Sequence, residues 1–245
     1  MNQLTNIKVE IPKIGTVTAN GNFSSKRPIV AYIHEFLGTP FPPKELEQFI
    51  DFSFCLPGYE QATLDNICPG QRLTWETYGK CIAQTIAVID KPVILVGNSM
   101  GVMVGIYACL ELPHLIEKLL LYRVPTFGET RILLRKKYAE ISSSITGEEE
   151  FNHFLNSIQS KVSSDILQVI KKVGWHTLKK LYQGASLSDL DLSLLKQLKQ
   201  PIVFIEQQTF DWVHPKESRD LLFSCLPKIV DKKIVPITKL IKSDF

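Results

Sequence analysis

The sequence predicts an α/β domain: a mostly parallel, doubly wound sheet with a helical insertion. Three observations lead there. Short apolar runs rich in β-branched residues alternate with segments of helical period. Residues 126–200 break that alternation with helix-forming Lys, Glu, Ser and Leu and no strong strand. The alternation then resumes to the end of the chain. The 245 residues suit one such domain, with 1–125 and 201–245 as its core and 126–200 as an inserted cap. No internal repeat or low-complexity linker divides them.

Residues 4–10 and 16–19, joined around Pro12-Lys13 and followed by Asn20-Gly21-Asn22, suggest an N-terminal hairpin. PIVAYIH (28–34) reads as a buried strand. Residues 42–50 have helical spacing, with prolines suited to a first turn. DFSFCL (51–56) gives another strand, closed by Pro57-Gly58. Residues 74–89 carry apolar side chains at helical intervals, and Thr74 offers a capping oxygen. PVILVG (92–97) is a fully apolar strand that turns directly into the small-residue helix 102–112. IEKLLLY (116–122) is a further strand candidate, although a Leu-rich run also suits a helix. Within the insertion, 148–158 and 165–173 have the clearest amphipathic spacing. PIVFIE (201–206), helix 215–225 and strand 233–237 complete the series.

Twenty-eight Lys+Arg against twenty-five Asp+Glu leave a net charge of +3, too little to imply a nucleic-acid partner. The five cysteines are scattered and contain no CxxC pair. That disfavours a disulfide framework or structural zinc site and predicts a reducing, cytoplasmic setting. The first fifteen residues lack a signal-peptide core, and the most apolar window, 93–112, is interrupted by Asn98, Ser99 and small residues. No membrane span is expected.

The sharpest motif is Gly97-Asn98-Ser99-Met100-Gly101, a G-x-S-x-G between an apolar strand and a small-residue helix. That context is what the motif requires. A serine on such a turn stands above the sheet edge, and glycines on either side let backbones pass close by. The first helical amides, Met100 included, face the place where an oxyanion would form. The plain alternative is a buried loop serine at a nucleotide-binding type of turn.

With this motif in place, the chain resembles the α/β-hydrolase fold family over nearly its whole length. His34-Glu35-Phe36-Leu37-Gly38 resembles the family's HGxxG-type oxyanion loop, with Glu35 where glycine is usual. The resemblance implies the Phe36 amide as second oxyanion donor, His34 as support for the loop, and His34 and Glu35 beside the substrate. Leu56-Pro57-Gly58-Tyr59 is similar to the family's DLPGHG turn, with Cys55 replacing aspartate. The usual histidine after the last strand is missing from residues 237–241. Family members also add a helix there, so the chain is expected to be natively short or incomplete.

Of the five histidines, His214 in Asp211-Trp212-Val213-His214-Pro215 is the candidate base. The segment resembles a branch of the family with D-x-x-H-P after the seventh strand and P-T-x-x-E-T-R after the sixth. The latter is Pro125-Thr126-Phe127-Gly128-Glu129-Thr130-Arg131 here, and that branch also lacks the late histidine. Asp211 reaches the imidazole if its loop coils into a helical turn, since residues three apart then face each other. An extended loop would leave the task to Glu206 or Glu129. Trp212, between the two, is the tryptophan expected to line the pocket. The alternative for His214 is a packing or capping role at the start of the next helix.

These readings together predict a serine hydrolase acting on an ester, thioester or related acyl bond of a small molecule. Ser99 would be the nucleophile, His214 the base and Asp211 its partner, with no metal or organic cofactor. A non-catalytic binding protein on the same fold is the alternative, because the late histidine is absent and Glu35 departs from the family pattern. A lyase or isomerase on that scaffold is a third. The oligomeric state is open, a homodimer included.

Overall fold

A computed structural model of the chain describes residues 5–24, 27–59 and 72–245. Leu4, at the start of the expected hairpin, and Cys68 lie outside the described residues. Strands β1 (Thr5–Ile11) and β2 (Gly15–Gly21) form that hairpin. Then come β3 (Ile29–Ile33), helix α1 (Lys44–Glu47), β4 (Phe52–Cys55), α2 (Trp75–Ile89), β5 (Val93–Asn98), α3 (Met100–Glu111) and β6 (Ile116–Tyr122). Helices α4 (Gly128–Ser144), α5 (Glu148–Ile158) and α6 (Ser164–Leu187) separate β6 from β7 (Ile202–Glu206). Helix α7 (Lys216–Cys225) and β8 (Lys232–Pro236) follow. The eight strands form one sheet in the order β1-β2-β4-β3-β5-β6-β7-β8, antiparallel at β1-β2 and β2-β4 and parallel thereafter.

The period-two pleat divides the apolar residues of the parallel strands between two faces. Ile29, Ala31, Ile33, Val93, Leu95, Leu119, Leu121, Ile202 and Phe204 belong to the larger core, with α2 and α3. Their neighbours Val30, Tyr32, Ile94, Val96, Leu120, Val203 and Ile205 face the other way, into a smaller core with Leu46 and Ile237. Helix α1 has only four residues rather than the nine expected. Pro43 starts it, and the Phe49 and Ile50 amides already bond three residues back, to Leu46 and Glu47, as turns. Phe245 stacks on Phe49 with ring centroids 4.5 Å apart, so the last residues help to cover this second face. The Leu-rich run 116–122 is a strand because it lies between β5 and β7, where both its edges find ladder partners.

Helix α2 starts at Thr74, whose hydroxyl accepts the Thr77 amide at 3.2 Å. Helix α3 is buried along nearly its whole length between α2 and the sheet. Helix α6 continues well beyond residue 173, where the amphipathic reading stopped. Gly174, at φ 73°, kinks it. Leu178, Leu181, Tyr182 and Ala185 then bury one side at the i, i+3, i+4, i+7 spacing of an apolar stripe.

Four contacts tie the helices between β6 and β7 to one another and to α2. The Arg131 guanidinium in α4 donates to the carbonyls of Ala185 (3.1 Å) and Ser188 (2.6 Å), at the end of α6. It also lies 3.9 Å from the ring centre of Trp75, the first residue of α2. The Trp75 amide in turn donates to Ser188 Oγ at 3.0 Å. Among the described residues, no helix is long and apolar enough to cross a membrane.

Gly101 and Gly174 separate two reasons for glycine. A Cβ on Gly101 would run into the Ile33 and His34 carbonyl groups, which are backbone and cannot swing aside. One on Gly174 meets nothing, and only its positive φ opposes a side chain. Gly101→Ala is therefore expected to cost about 3 kcal/mol or more, above the common range for overpacking because backbone is struck. Gly174→Ala should cost less, about 1–3 kcal/mol, for holding alanine in a backbone region kept for glycine. Urea-unfolding midpoints of the two variants check the ranking, and equal losses would refute it.

Candidate active site

Ser99 sits where β5 gives way to α3, with φ 53° and ψ −111°, a conformation that a non-glycine residue adopts only when its surroundings impose it. The surroundings are specific. The Ser99 amide donates to the Tyr122 carbonyl of β6 at 3.0 Å, and the Ser99 carbonyl accepts the Val102 amide at 2.9 Å. Asn98 Nδ2 donates to the Tyr32 hydroxyl at 2.9 Å. A Cβ on Gly97 would meet the Gly101 carbonyl, so the two glycines are what allow the strand and the helix to close on each other.

His214 stands in the loop between β7 and α7. Its Nε2 is 2.8 Å from Ser99 Oγ. Its Nδ1 is 3.1 Å from both carboxylate oxygens of Asp211. The loop does not coil into a helical turn. Instead Asp211 Oδ1 accepts the backbone amides of Val213 and His214, both at 2.8 Å, so the carboxylate bends the chain around itself. Asp211 thus reaches the ring through its own turn. Glu206 is paired with Arg219 at 2.5 Å, and Glu129 is exposed in the first turn of α4.

The two sequence segments singled out after the sixth and seventh strands meet here. The Thr126 amide donates to the Val213 carbonyl at 2.7 Å, and the Phe127 amide to Ser218 Oγ of α7 at 3.3 Å. Gln207 Nε2 donates to the His214 carbonyl at 3.1 Å. The histidine loop is thereby held from both sides.

Sequence reasoning missed Arg123. It follows β6 in a left-handed conformation, φ 53°. Its Nη1 is 3.0 Å from Glu35 Oε2, and its Nη2 is 3.4 Å from Asp211 Oδ2 and 3.3 Å from His214 Nδ1. The signal available in the sequence was its place at the carboxyl end of a parallel strand, the edge at which open α/β sheets build their sites.

The electrostatics follow from these contacts. Burial and the nearby Arg123 charge hold the His214 pKa below its ordinary value, against the opposing pull of Asp211. Burial works against the Asp211 charge, but the bonds from His214 and Val213 outweigh it and leave that carboxyl below the usual range. Burial raises the Glu35 pKa, opposed by Arg123.

His34 and Trp212 differ sharply in exposure. His34 is fully buried and presents no surface to a pocket. Its Nδ1 donates to the Glu35 carbonyl at 2.9 Å and its Nε2 accepts the Leu56 amide at 3.5 Å, a supporting role for the loop. Trp212 is 62% exposed, because its neighbours' amides turn inward to Asp211 and leave the indole outside. Phe36 lies within the turn closed by the Gly38 amide on the Glu35 carbonyl at 3.0 Å. Met100 is the first residue of α3, where amides have no intrahelical acceptor. Aromatic rings of the insertion cover this turn: Tyr138 and Tyr182 lie 5.4 and 5.3 Å from the Phe36 ring. Ser99 is only 8% exposed and His214 only 6%. His114 and His176 are exposed, and His153 faces solvent beside Glu149. Among the described residues, no cluster of three His, Cys, Asp or Glu side chains could hold a metal ion.

No protein-family model matches the sequence, and no curated protein matches it. Solved structures do. A hydrolase from Pseudomonas aeruginosa PA01 superposes with a TM-score of 0.69 at 14% identity, over 95% of this chain and 89% of that one. A thermophilic esterase from Thermogutta terrifontis gives 0.65 at 17%, over 96% and 90%. An esterase from Exiguobacterium antarcticum gives 0.63 at 14%, over 94% and 91%. At such identities the likeness is one of fold.

Burial lowers the His34 pKa to about 4, whereas the unfolded chain binds that proton near 6.5. Between those values the unfolded state holds more protons, so stability is complete above about 6.5 and falls as the pH drops toward 4. The urea midpoint is expected to decline through this window. It should decline less steeply in His34→Gln, where His214 still contributes in the same direction. Equal slopes in the two proteins would refute the assignment.

Proposed function

We propose that this chain, which has the α/β-hydrolase fold, is a serine hydrolase cleaving an ester, thioester or related acyl bond of a small molecule. The observation that carries this reading is the 2.8 Å contact between Ser99 Oγ and His214 Nε2. Its support is the Asp211 carboxylate on the far side of the ring. The solved hydrolase and esterases of the same fold agree with it.

In this mechanism Ser99 Oγ attacks the acyl carbon as its proton passes to His214 Nε2. The imidazolium keeps its Nδ1–H on Asp211, which stabilises the ring's charge and orientation. The tetrahedral oxyanion takes hydrogen bonds from the amides of Met100, at the start of α3, and Phe36, in the turn after β3. Collapse expels the alcohol or thiol with the proton from His214. Water, deprotonated by the same ring, then releases the acid and restores Ser99. The helices between β6 and β7 act as the cap. Their rings over Phe36 and the limited exposure of Ser99 favour a short acyl group over a long one.

A fluorophosphonate probe should label the wild-type protein, label His214→Ala weakly and leave Ser99→Ala untouched. Turnover of p-nitrophenyl acetate should exceed that of the decanoate. Ser99→Ala or His214→Ala should lose on the order of 10⁴- to 10⁶-fold in kcat. A wild type that neither takes the probe nor cleaves any chain length would defeat the reading in favour of a binding protein.

A further inference from the structure

We infer that Arg123, anchored by Glu35, is a positioning residue that competes with Asp211 for the Nδ1 side of His214 and so limits how much of the ring is in the form able to take the Ser99 proton. The inference rests on the assignment of Ser99 and His214 as nucleophile and base.

The geometry presents the ring with two arrangements. When Nδ1 carries the hydrogen it donates to Asp211, and the Nε2 lone pair faces Ser99 Oγ. When Nδ1 is bare it accepts an N–H from Arg123 Nη2 at 3.3 Å, and the hydrogen on Nε2 then points at Ser99. Only the first form can act as a base. A guanidinium has no acceptor and stays charged, so Arg123 always favours a bare Nδ1 and opposes an imidazolium.

Glu35 sets the strength of that competition. It holds Arg123 Nη1 at 3.0 Å, which leaves Nη2 at the looser 3.4 Å from Asp211 Oδ2. Asp211 Oδ1 is committed to the two backbone amides of its own turn. Arg123 thereby ties the turn that carries Phe36 to the loop that carries His214. Glu35, out of place against the family's oxyanion loop, acquires a use.

The other charged groups near the ring leave Arg123 as the cation that governs it. From α7, Arg219 shares a small space with His214 but is paired with both Glu206 and Asp220. From β3 and β6, the phenols of Tyr32 and Tyr122 lie near Glu35 and Arg123, and burial raises the pKa of both. Ser99 approaches from β5, and Asp211 belongs to the ring's own loop.

The test is an ¹⁵N NMR titration of the full-length chain with labelled histidine rings, His214 being assigned by its loss in His214→Gln. Nitrogen shifts report both the tautomer and the midpoint. Arg123→Met should move the midpoint to higher pH by about half a unit or more, because a nearby cation is removed. Arg123→Lys keeps the charge and should stay near wild type. Glu35→Gln releases Arg123 toward the ring, so its midpoint should fall and its Nδ1–H form should lose population. The acid limb of kcat/KM should move in the same directions. Unmoved midpoints in Arg123→Met and Glu35→Gln would overturn the inference, as would a lysine variant that shifts as far as the methionine one. If Arg123→Met does not fold, Glu35→Gln and Arg123→Lys decide alone. A wild type that takes no fluorophosphonate ends the hydrolase assignment, whereas the titration still settles whether Arg123 governs the ring.

Discussion

The site depends on one contact between parts of the chain that are 115 residues apart, the hydrogen bond between Ser99 Oγ and His214 Nε2. Neither residue reaches it by local preference. Ser99 is held at a positive φ by β6, through Tyr122, and by the close approach of β5 to α3 that Gly97 and Gly101 permit. His214 is held by the Asp211 turn, by Gln207 and by the Thr126 amide on the preceding carbonyl. Backbone strain on one side and backbone hydrogen bonds on the other hold the two side chains at hydrogen-bond distance, the geometry that the proposed proton transfer needs.

Charge is distributed around that contact with little redundancy. A single carboxylate, Asp211, receives two backbone amides, an imidazole and a guanidinium. Those bonds stabilise its negative charge despite partial burial, and its charge in turn offsets what burial and Arg123 take from the basicity of His214. The balance spans three strand ends, since Glu35 follows β3, Arg123 follows β6 and Asp211 follows β7. The parallel order of the sheet puts all three at one edge.

The helices between β6 and β7 are fastened rather than loosely appended. Arg131 satisfies carbonyls left open at the end of α6 while its face covers Trp75, and Ser188 reaches the first amide of α2. The segment 125–131 therefore has two structural duties, one at the histidine loop and one at the inserted helices. Residues near an active site that touch no reacting atom can have this kind of use.

The sequence by itself determined the order and kind of most elements, because period-two and helical spacing are local properties and burial selects them strongly. It also located the Ser99 turn, since the strand–glycine–serine–glycine–helix context is contiguous, and it singled out His214 and Asp211 as candidates. Only the tertiary structure decided how these came together. Asp211 meets the ring through side-chain bonds to its own turn, and no spacing rule distinguishes that from a coil or an extended loop. Trp212 was left outside by the same turn, and His34 was enclosed by packing between two loops. Arg123 was invisible for a related reason: a lone arginine has meaning only through the carboxylates and imidazole around it, and those come from segments that the chain brings together only on folding.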